Sequence, residues 1–143
     1  MRASAHGATR IGLCVLHPIS LCAGQRCRVE TLDGQVQETA FPLAISPWQP
    51  FRRVRSISFP VGGATWLTTT FEGDTFETED QRNWSDASYK TYSTPLDEPF
   101  PVRIAPGFRV NQQVTVRLES RSGASERLAV PGTHPPEEID SLH

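Results

Sequence analysis

Residues 71–96 contain most of the side chains in this chain that could do chemistry. Six carboxylates fall within fifteen residues of this segment, namely Glu72, Asp74, Glu77, Glu79, Asp80 and Asp86. They are accompanied by an arginine, an asparagine, a lysine and three aromatic residues, namely Arg82, Asn83, Lys90, Trp84, Tyr89 and Tyr92. Planar polar groups hold the hydroxyls and carboxylates of sugar acids, and an aromatic ring covers the apolar side of the sugar. The composition is therefore typical of a polyol or sugar-acid site.

The spacing of these residues indicates which of them could act together. If residues 76–84 are extended, alternation places Asp80 and Arg82 on one face and Glu77 and Glu79 on the other. Close carboxylates raise one another's pKa, which is one route to a general acid or base near neutral pH. A cluster of acids around an arginine is, however, more often a solvated or mutually paired strand face. Both interpretations stay open at this point.

The elements that must position this segment are predicted to be short β-strands. With 12 prolines and 10 glycines among 143 residues, the chain is divided into short pieces, and no helix of convincing length is indicated. Alternating or β-branched runs predict strands near residues 11–16, 28–32, 54–59, 66–71, 110–118 and 128–130. Tight turns are expected at Asp33-Gly34 and Gly62-Gly63. The proline-rich residues 41–51 predict an ordered loop or a sheet edge.

These elements predict an all-β fold, specifically an antiparallel β-sandwich, with the larger mutarotase-like supersandwich as one form of it. We expect a disordered lead over residues 1–9, a β-sandwich domain over residues 10–119 and a flexible tail over residues 120–143. The length allows one domain and excludes a second, barrel-sized domain within these residues.

Charge and cysteine content exclude several classes of function. The net charge of −2 and the pI near 6.1 provide no basic surface for nucleic acid. No apolar run approaches the roughly 18 residues of a membrane span. The three cysteines lack zinc-ligand spacing and are read as reduced thiols of a cytoplasmic protein. We therefore expect no nucleic acid, no membrane, no metal and no cofactor.

The polar segment also closely resembles the signature of the D-apionate lactonase family. The matching residues are Gly73 to Glu77, Glu79 to Trp84, Asp86 to Tyr92 and Pro95-Leu96. Further similar residues flank the segment, among them His17-Pro18-Ile19, Phe41-Pro42, Ile45 to Phe51 and Pro99-Phe100-Pro101. The resemblance covers roughly residues 10 to 118 of this sequence.

The resemblance implies the N-terminal β-rich domain of a hydrolase that converts D-apionolactone to D-apionate, and a TIM-like barrel in full-length relatives would be its partner domain. It implies a sugar-acid lactone or sugar acid as the ligand. If the motif belongs to the active site, Glu79 and Asp80 are the predicted catalytic residues, which would orient or deprotonate water. The predicted substrate-binding residues are Arg82, Asn83, Trp84, Asp86 and Lys90. Two alternatives remain: a satisfied polar interface network, and a non-catalytic carbohydrate-binding or interaction module.

Overall fold

The computed structural model describes residues 12–84, 86–96 and 106–121. Within these residues the chain forms eight β-strands, one single-turn α-helix and one 3-10 helix. In chain order they are β1 (Cys14–Pro18), α1 (Ile19–Cys22), β2 (Arg26–Thr31), β3 (Val36–Ala40), β4 (Phe51–Gly62), β5 (Thr65–Glu72), β6 (Phe76–Asp80), the 3-10 helix (Gln81–Trp84), β7 (Ser88–Tyr92) and β8 (Gln113–Ser120). None of the described helices is long and apolar enough to cross a membrane.

The described strands form one antiparallel sheet organised around β4. Its order is β1-β7-β6-β4-β2-β3, and β5 pairs with both β4 and β8. Strand β4 is 12 residues long, which is enough for two partners in succession. Its first part pairs with β6 at Phe51 and Val54, and its later part pairs with β5 from Ser56 to Gly62. A register shift between Phe51 and Val54 interrupts the pairing with β6 before β4 changes partner, which is the kind of local disruption that a β-bulge produces.

Two arms of the sheet start from β4: one consists of β5 and β8, and the other of β6, β7 and β1. The core includes side chains from both arms. Its buried hydrophobic residues are Cys22, Cys27, Val29, Phe41, Phe51, Val54, Ile57, Phe59, Phe71, Phe76 and Tyr89. The rings of Phe71 on β5 and Phe76 on β6 lie 4.9 Å apart, so side chains of both arms pack together. The all-β, antiparallel prediction is confirmed, and the arrangement of the arms is sandwich-like.

The local expectations were right about turns and wrong about two strand ends. The turn after β2 is present, with Gly34 at φ 84°, and β4 and β5 form the expected hairpin. Strand β1 was expected to end before His17-Pro18, but it continues through Pro18. Because β1 is at the end of the sheet order, a proline without an N–H is tolerated there.

The extended conformation expected for residues 76–84 is wrong beyond Asp80. The backbone N of Arg82 donates to Asp80 Oδ1 at 3.2 Å. A local bond of this kind favours a turn over a continued strand, and the chain enters the 3-10 helix at Gln81. The strand expected at residues 128–130, the lead and nearly all of the tail lie outside the described residues. The domain boundaries stay predictions.

Candidate functional site

The polar segment is divided between the two faces of the β6–β7 strand pair. In the register of this pair, Glu77 lies opposite Tyr92, Thr78 opposite Thr91, Glu79 opposite Lys90, and Asp80 opposite Tyr89. Alternation gives an inner face with Thr78, Asp80, Tyr89 and Thr91, all of which are fully buried. The outer face carries Glu77, Glu79, Lys90 and Tyr92. The acids of the motif therefore have two different environments.

An ion pair is the centre of the inner-face site. Arg82 donates from Nε to Asp80 Oδ1 at 2.9 Å and from Nη2 to Asp80 Oδ2 at 2.8 Å, which is the bidentate geometry that arginine and carboxylate favour. The Asp80 side chain is 0% exposed and that of Arg82 is 17% exposed. Asp80 and Arg82 are neighbours, as the spacing predicted. We call Asp80, Arg82, Asn83 and Tyr89 the Arg82 cluster.

The Arg82 cluster binds the backbone of the loop between β3 and β4. The Arg82 guanidinium donates to the carbonyl oxygens of Pro42, Leu43 and Ala44 at 3.0, 2.8 and 3.2 Å. The Tyr89 hydroxyl donates to the Pro42 carbonyl as well. One arginine side chain thus satisfies three consecutive carbonyl groups that would otherwise have no strand partner.

A second set of bonds holds the loop two residues further on. The backbone N of Ser46 donates to Asp80 Oδ2 at 2.9 Å. Asn83 Nδ2 donates to the carbonyl oxygens of Ser46 at 2.6 Å and Asp80 at 2.9 Å. The segment from Pro42 to Ser46 is therefore anchored at both ends by side chains of the motif.

The electrostatics of the Arg82 cluster keep its ion pair charged. Burial alone would raise the pKa of the Asp80 carboxyl, but hydrogen bonds from Arg82 and from the backbone of Ser46 outweigh burial and leave this pKa below its usual value. The hydrogen bond to Asp80 raises the pKa of Arg82. Burial raises the pKa of the Tyr89 hydroxyl. Asp80 is thus a weaker base than an ordinary aspartate.

The outer face contains a buried carboxylate of a different kind. Glu77 is 1% exposed, and its Oε1 accepts hydrogen bonds from the Tyr92 hydroxyl at 2.7 Å and from the backbone N of Leu96 at 2.6 Å. Glu79 and Lys90 are half-buried beside it on adjacent strands. This face therefore combines carboxylates, an amine and a phenol within one pair of strands.

A buried histidine lies on the inner face, opposite Tyr89 of the Arg82 cluster in the register of β1 and β7. His17 Nε2 and Thr91 Oγ1 are 2.8 Å apart, and Thr91 Oγ1 and Thr78 Oγ1 are also 2.8 Å apart. The His17 ring lies 5.7 Å from that of Phe41. Burial lowers the pKa of His17 to about 4, so the imidazole is neutral at physiological pH.

The structure brings together only some of the predicted site residues. Asp80, Arg82 and Asn83 share the Arg82 cluster, whereas Glu79 and Lys90 lie on the other face of the strand pair. Asp86 is exposed and accepts a bond at Oδ1 from the backbone N of Ala87 at 2.9 Å. The side chain of Trp84 lies outside the described residues. The predicted catalytic and binding roles stay predictions.

Two residues with polar side chains at these sites were not selected from the sequence. Tyr89 belongs to the Arg82 cluster, and Glu77 is the buried acid of the outer face. The loop that Tyr89 contacts is 47 positions away along the chain, so no local spacing could have shown the pairing. The proline-rich composition of residues 41–51 was the available signal, since it predicted an ordered loop or a sheet edge there.

Metal and thiol chemistry have little support among the residues that the structure describes. These residues contain no group of three or more potential metal ligands. Cys22 and Cys27 are buried, and burial raises their pKa to about 11 and about 12 respectively. Such thiols are poor nucleophiles at neutral pH.

Comparison with known proteins gives two matches. Residues 2–121 match the family model described as D-apionate lactonase, N-terminal domain. A D-apionate lactonase of Brucella anthropi is 44% identical over 116 residues, which make up 81% of this chain and 19% of that protein. The matched region thus spans about a fifth of the length of this curated relative. No solved structure matches the chain.

Proposed function

This chain belongs to the D-apionate lactonase N-terminal domain family, and on that premise we propose that it acts in the hydrolysis of D-apionolactone to D-apionate. The 44% identity to a D-apionate lactonase supports this activity. The proposal places the chain in the cytoplasm beside a TIM-like barrel domain. Its three cysteines are free, which agrees with a reducing compartment.

The reaction itself is attack by water on the ring ester carbonyl. A carbon–oxygen bond forms to water, the ring carbon–oxygen bond breaks, and a proton passes from the water to the ring oxygen. A general base that takes the proton and a donor that stabilises the oxyanion are the groups that this reaction needs.

Of the two proposed catalytic carboxylates, Glu79 is the better candidate. A carboxylate has about four lone-pair positions. On Asp80, Oδ1 accepts from Arg82 N and Nε, and Oδ2 accepts from Ser46 N and Arg82 Nη2. All four positions are used, so no position remains on Asp80 for a water. Glu79 lies on the outer face and is half-buried, where a ligand or a second domain can approach it.

One observation defines what the rest of the motif contributes: the Arg82 guanidinium and the Asp80 carboxylate bind the protein's own loop. These two groups fix the conformation of residues 42–46. We propose that the domain contributes a shaped surface and the outer-face residues to the lactonase.

A chimeric enzyme tests the proposed activity. Residues 2–121 of this chain would replace the matching region of the Brucella anthropi lactonase, and hydrolysis of D-apionolactone would be followed by pH-stat. We expect turnover close to that of the parent enzyme. A folded chimera without turnover would contradict the proposed function.

Two variants of the chimera separate the catalytic roles. Glu79→Gln should lower kcat by about 100-fold or more, as loss of a general base does, while the melting temperature stays near that of the unmodified chimera. Asp80→Asn should lower the melting temperature because it disturbs the ion pair. Unchanged turnover in Glu79→Gln would reject Glu79 as the base.

The second candidate function is a non-catalytic carbohydrate-binding or interaction module. It is favoured by the use of Asp80 and Arg82 in internal hydrogen bonds, which leaves these groups no part in chemistry. Calorimetric titration of the 143-residue chain with D-apionate tests this alternative. A carbohydrate-binding module should bind D-apionate without the remainder of a lactonase. Lactone turnover by the chain alone would instead support a self-sufficient enzyme.

A further inference from the structure

The loop held by the Arg82 cluster presents large apolar side chains to solvent. Leu43 is 74% exposed, Ile45 is 55% exposed and Trp48 is 73% exposed. We call these three residues the apolar tip. Residues 41–50 contain no charged residue, so nothing within the loop interrupts this surface. Three large exposed apolar residues within six positions are unfavourable in water unless something covers them.

The exposure of the apolar tip is enforced by the structure around it. The backbone that carries Leu43 and Ile45 is bonded to Arg82 at Pro42, Leu43 and Ala44, and to Asp80 at Ser46. The Ser46 hydroxyl also donates to the carbonyl oxygen of Trp48 at 2.8 Å. A loop fixed in this way cannot fold its apolar side chains back onto the core, and it loses little conformational entropy when a partner binds.

We propose that the apolar tip is the surface by which this domain docks onto the remainder of a D-apionate lactonase. The proposal rests on the proposed function. The matched region makes up 19% of the Brucella anthropi protein, so about four fifths of such an enzyme lies outside this domain and offers a large surface of the same chain for it to dock against. An uncharged patch with an exposed tryptophan has the composition found at the centres of protein interfaces.

The chemistry of the tip favours a protein surface over a sugar acid. A sugar acid needs charged or planar polar groups to hold its hydroxyls and carboxylate. The charged side chains bonded to residues 42–46, Asp80 and Arg82, are directed at the loop backbone. What the loop offers outward at these three positions is a leucine, an isoleucine and an indole ring, which gain most from contact with another apolar surface.

Hydroxyl-radical footprinting tests the docking directly, with Trp48 as the probe. Its oxidation rate would be measured in the 143-residue chain and in the full-length chimera described above. Docking predicts a several-fold lower rate in the chimera. Equal rates in the two proteins would overturn the proposal, whether or not the chimera hydrolyses its lactone.

A pair of matched variants of the chimera shows which residues cause the protection. Leu43→Ser with Ile45→Ser removes two apolar side chains of the tip and keeps the probe. Loss of central interface residues shifts a docking equilibrium by about 30-fold, so the Trp48 rate should return toward that of the isolated chain. The control, Val116→Ser with Leu118→Ser, alters two side chains of β8 that are 57% and 67% exposed, and it should leave Trp48 protected.

The outcomes separate docking from catalysis. Protection without turnover would leave the docking surface in place and contradict the proposed lactonase function. Turnover with an unprotected Trp48 would support the lactonase function and overturn the docking surface. Sedimentation of the 143-residue chain completes the test, since a dimer that Leu43→Ser with Ile45→Ser abolishes would assign the tip to a second copy of the chain and overturn docking to the lactonase.

Discussion

The two faces of the β6–β7 strand pair carry similar residues with different uses. On the inner face, the Asp80 carboxylate has all its acceptor positions filled by Arg82 and Ser46. On the outer face, Glu79 lies opposite Lys90 and both are half-buried. One residue along a strand turns a side chain to the other face. Adjacent acids in a motif can therefore have very different environments, one fully buried with its acceptor positions filled and the other half-buried on the opposite face.

The largest effect in this comparison is expected from Arg82→Ala. Removing the guanidinium takes two of the four donors from the buried Asp80 carboxylate and leaves the carbonyl groups of Leu43 and Ala44 without their arginine donor. Breaking a buried ion pair costs about 3 to 5 kcal/mol. Urea denaturation should show this loss. Arg28→Ala is the control, because Arg28 pairs with Glu38 at 3.7 Å while both side chains are largely exposed, and such pairs contribute about 1 kcal/mol or less. Similar losses in both variants would mean that the inner ion pair is not structural.

The next largest effect is expected from pH, through His17. Its pKa is lowered from 6.5 to about 4 in the folded chain, so the unfolded chain binds the proton more readily between these values. The contribution of His17 to the free energy of unfolding is therefore fully present above pH 6.5. It is lost as the pH drops toward 4, by about 3 kcal/mol in all. Urea titrations at a series of pH values measure this slope.

His17→Gln is the variant that assigns the slope to this residue. It removes the titrating group, so stability between pH 6.5 and 4 should vary much less than in the unmodified chain. The lowered pKa of Asp80 affects stability in a different pH range, since its contribution is present above the unfolded value of 3.8 and is lost only at lower pH. A slope that persists in His17→Gln would contradict the assignment.

On the outer face, Tyr92→Phe should have an intermediate effect. The Tyr92 hydroxyl donates to the buried Glu77 carboxylate at 2.7 Å, and leaving a buried acceptor short of a donor costs about 1 to 3 kcal/mol. The matched control on the same face is Ser88→Ala. The buried Ser88 hydroxyl has no hydrogen-bond partner within the described residues, so its removal should be neutral or slightly stabilising in thermal unfolding. Equal changes in stability in the two variants would mean that the hydrogen bond from Tyr92 to Glu77 does not stabilise the fold.

The smallest effect on stability is expected for the Glu79 and Lys90 pair. They lie opposite one another on β6 and β7, and opposite charges across strands contribute about 0.2 to 1 kcal/mol. A double-mutant cycle with Glu79→Gln and Lys90→Gln measures this coupling. A coupling as large as the loss in Arg82→Ala would show that both faces are structural and remove the contrast between them.

The local pattern of the sequence was sufficient for the turns and for five of the eight described strands, whereas β3 and β7 were not predicted and β6 was expected only as part of a longer extended run. Alternation with β-branched residues indicated the β4–β5 hairpin, and Asp33-Gly34 indicated the turn after β2. These features depend on neighbours within a few residues, which the sequence shows directly. The spacing of Asp80 and Arg82 also predicted that they would be neighbours, because residues two positions apart in the sequence lie close together in most backbone conformations.

The tertiary structure decided which partners these groups have. Arg82 and Tyr89 reach the loop at Pro42 across 40 and 47 positions of sequence, and the turn at Gln81 ends the alternation that was expected to continue through residue 84. Local spacing cannot encode such contacts, because they depend on how β6 and β7 lie against the loop after β3. The sequence by itself determined an all-β, antiparallel fold and a dense polar segment over residues 71–96. Only the folded chain determined that Asp80 and Arg82 hold a loop while Glu79 faces outward, since burial and long-range hydrogen bonds arise when the strands pack.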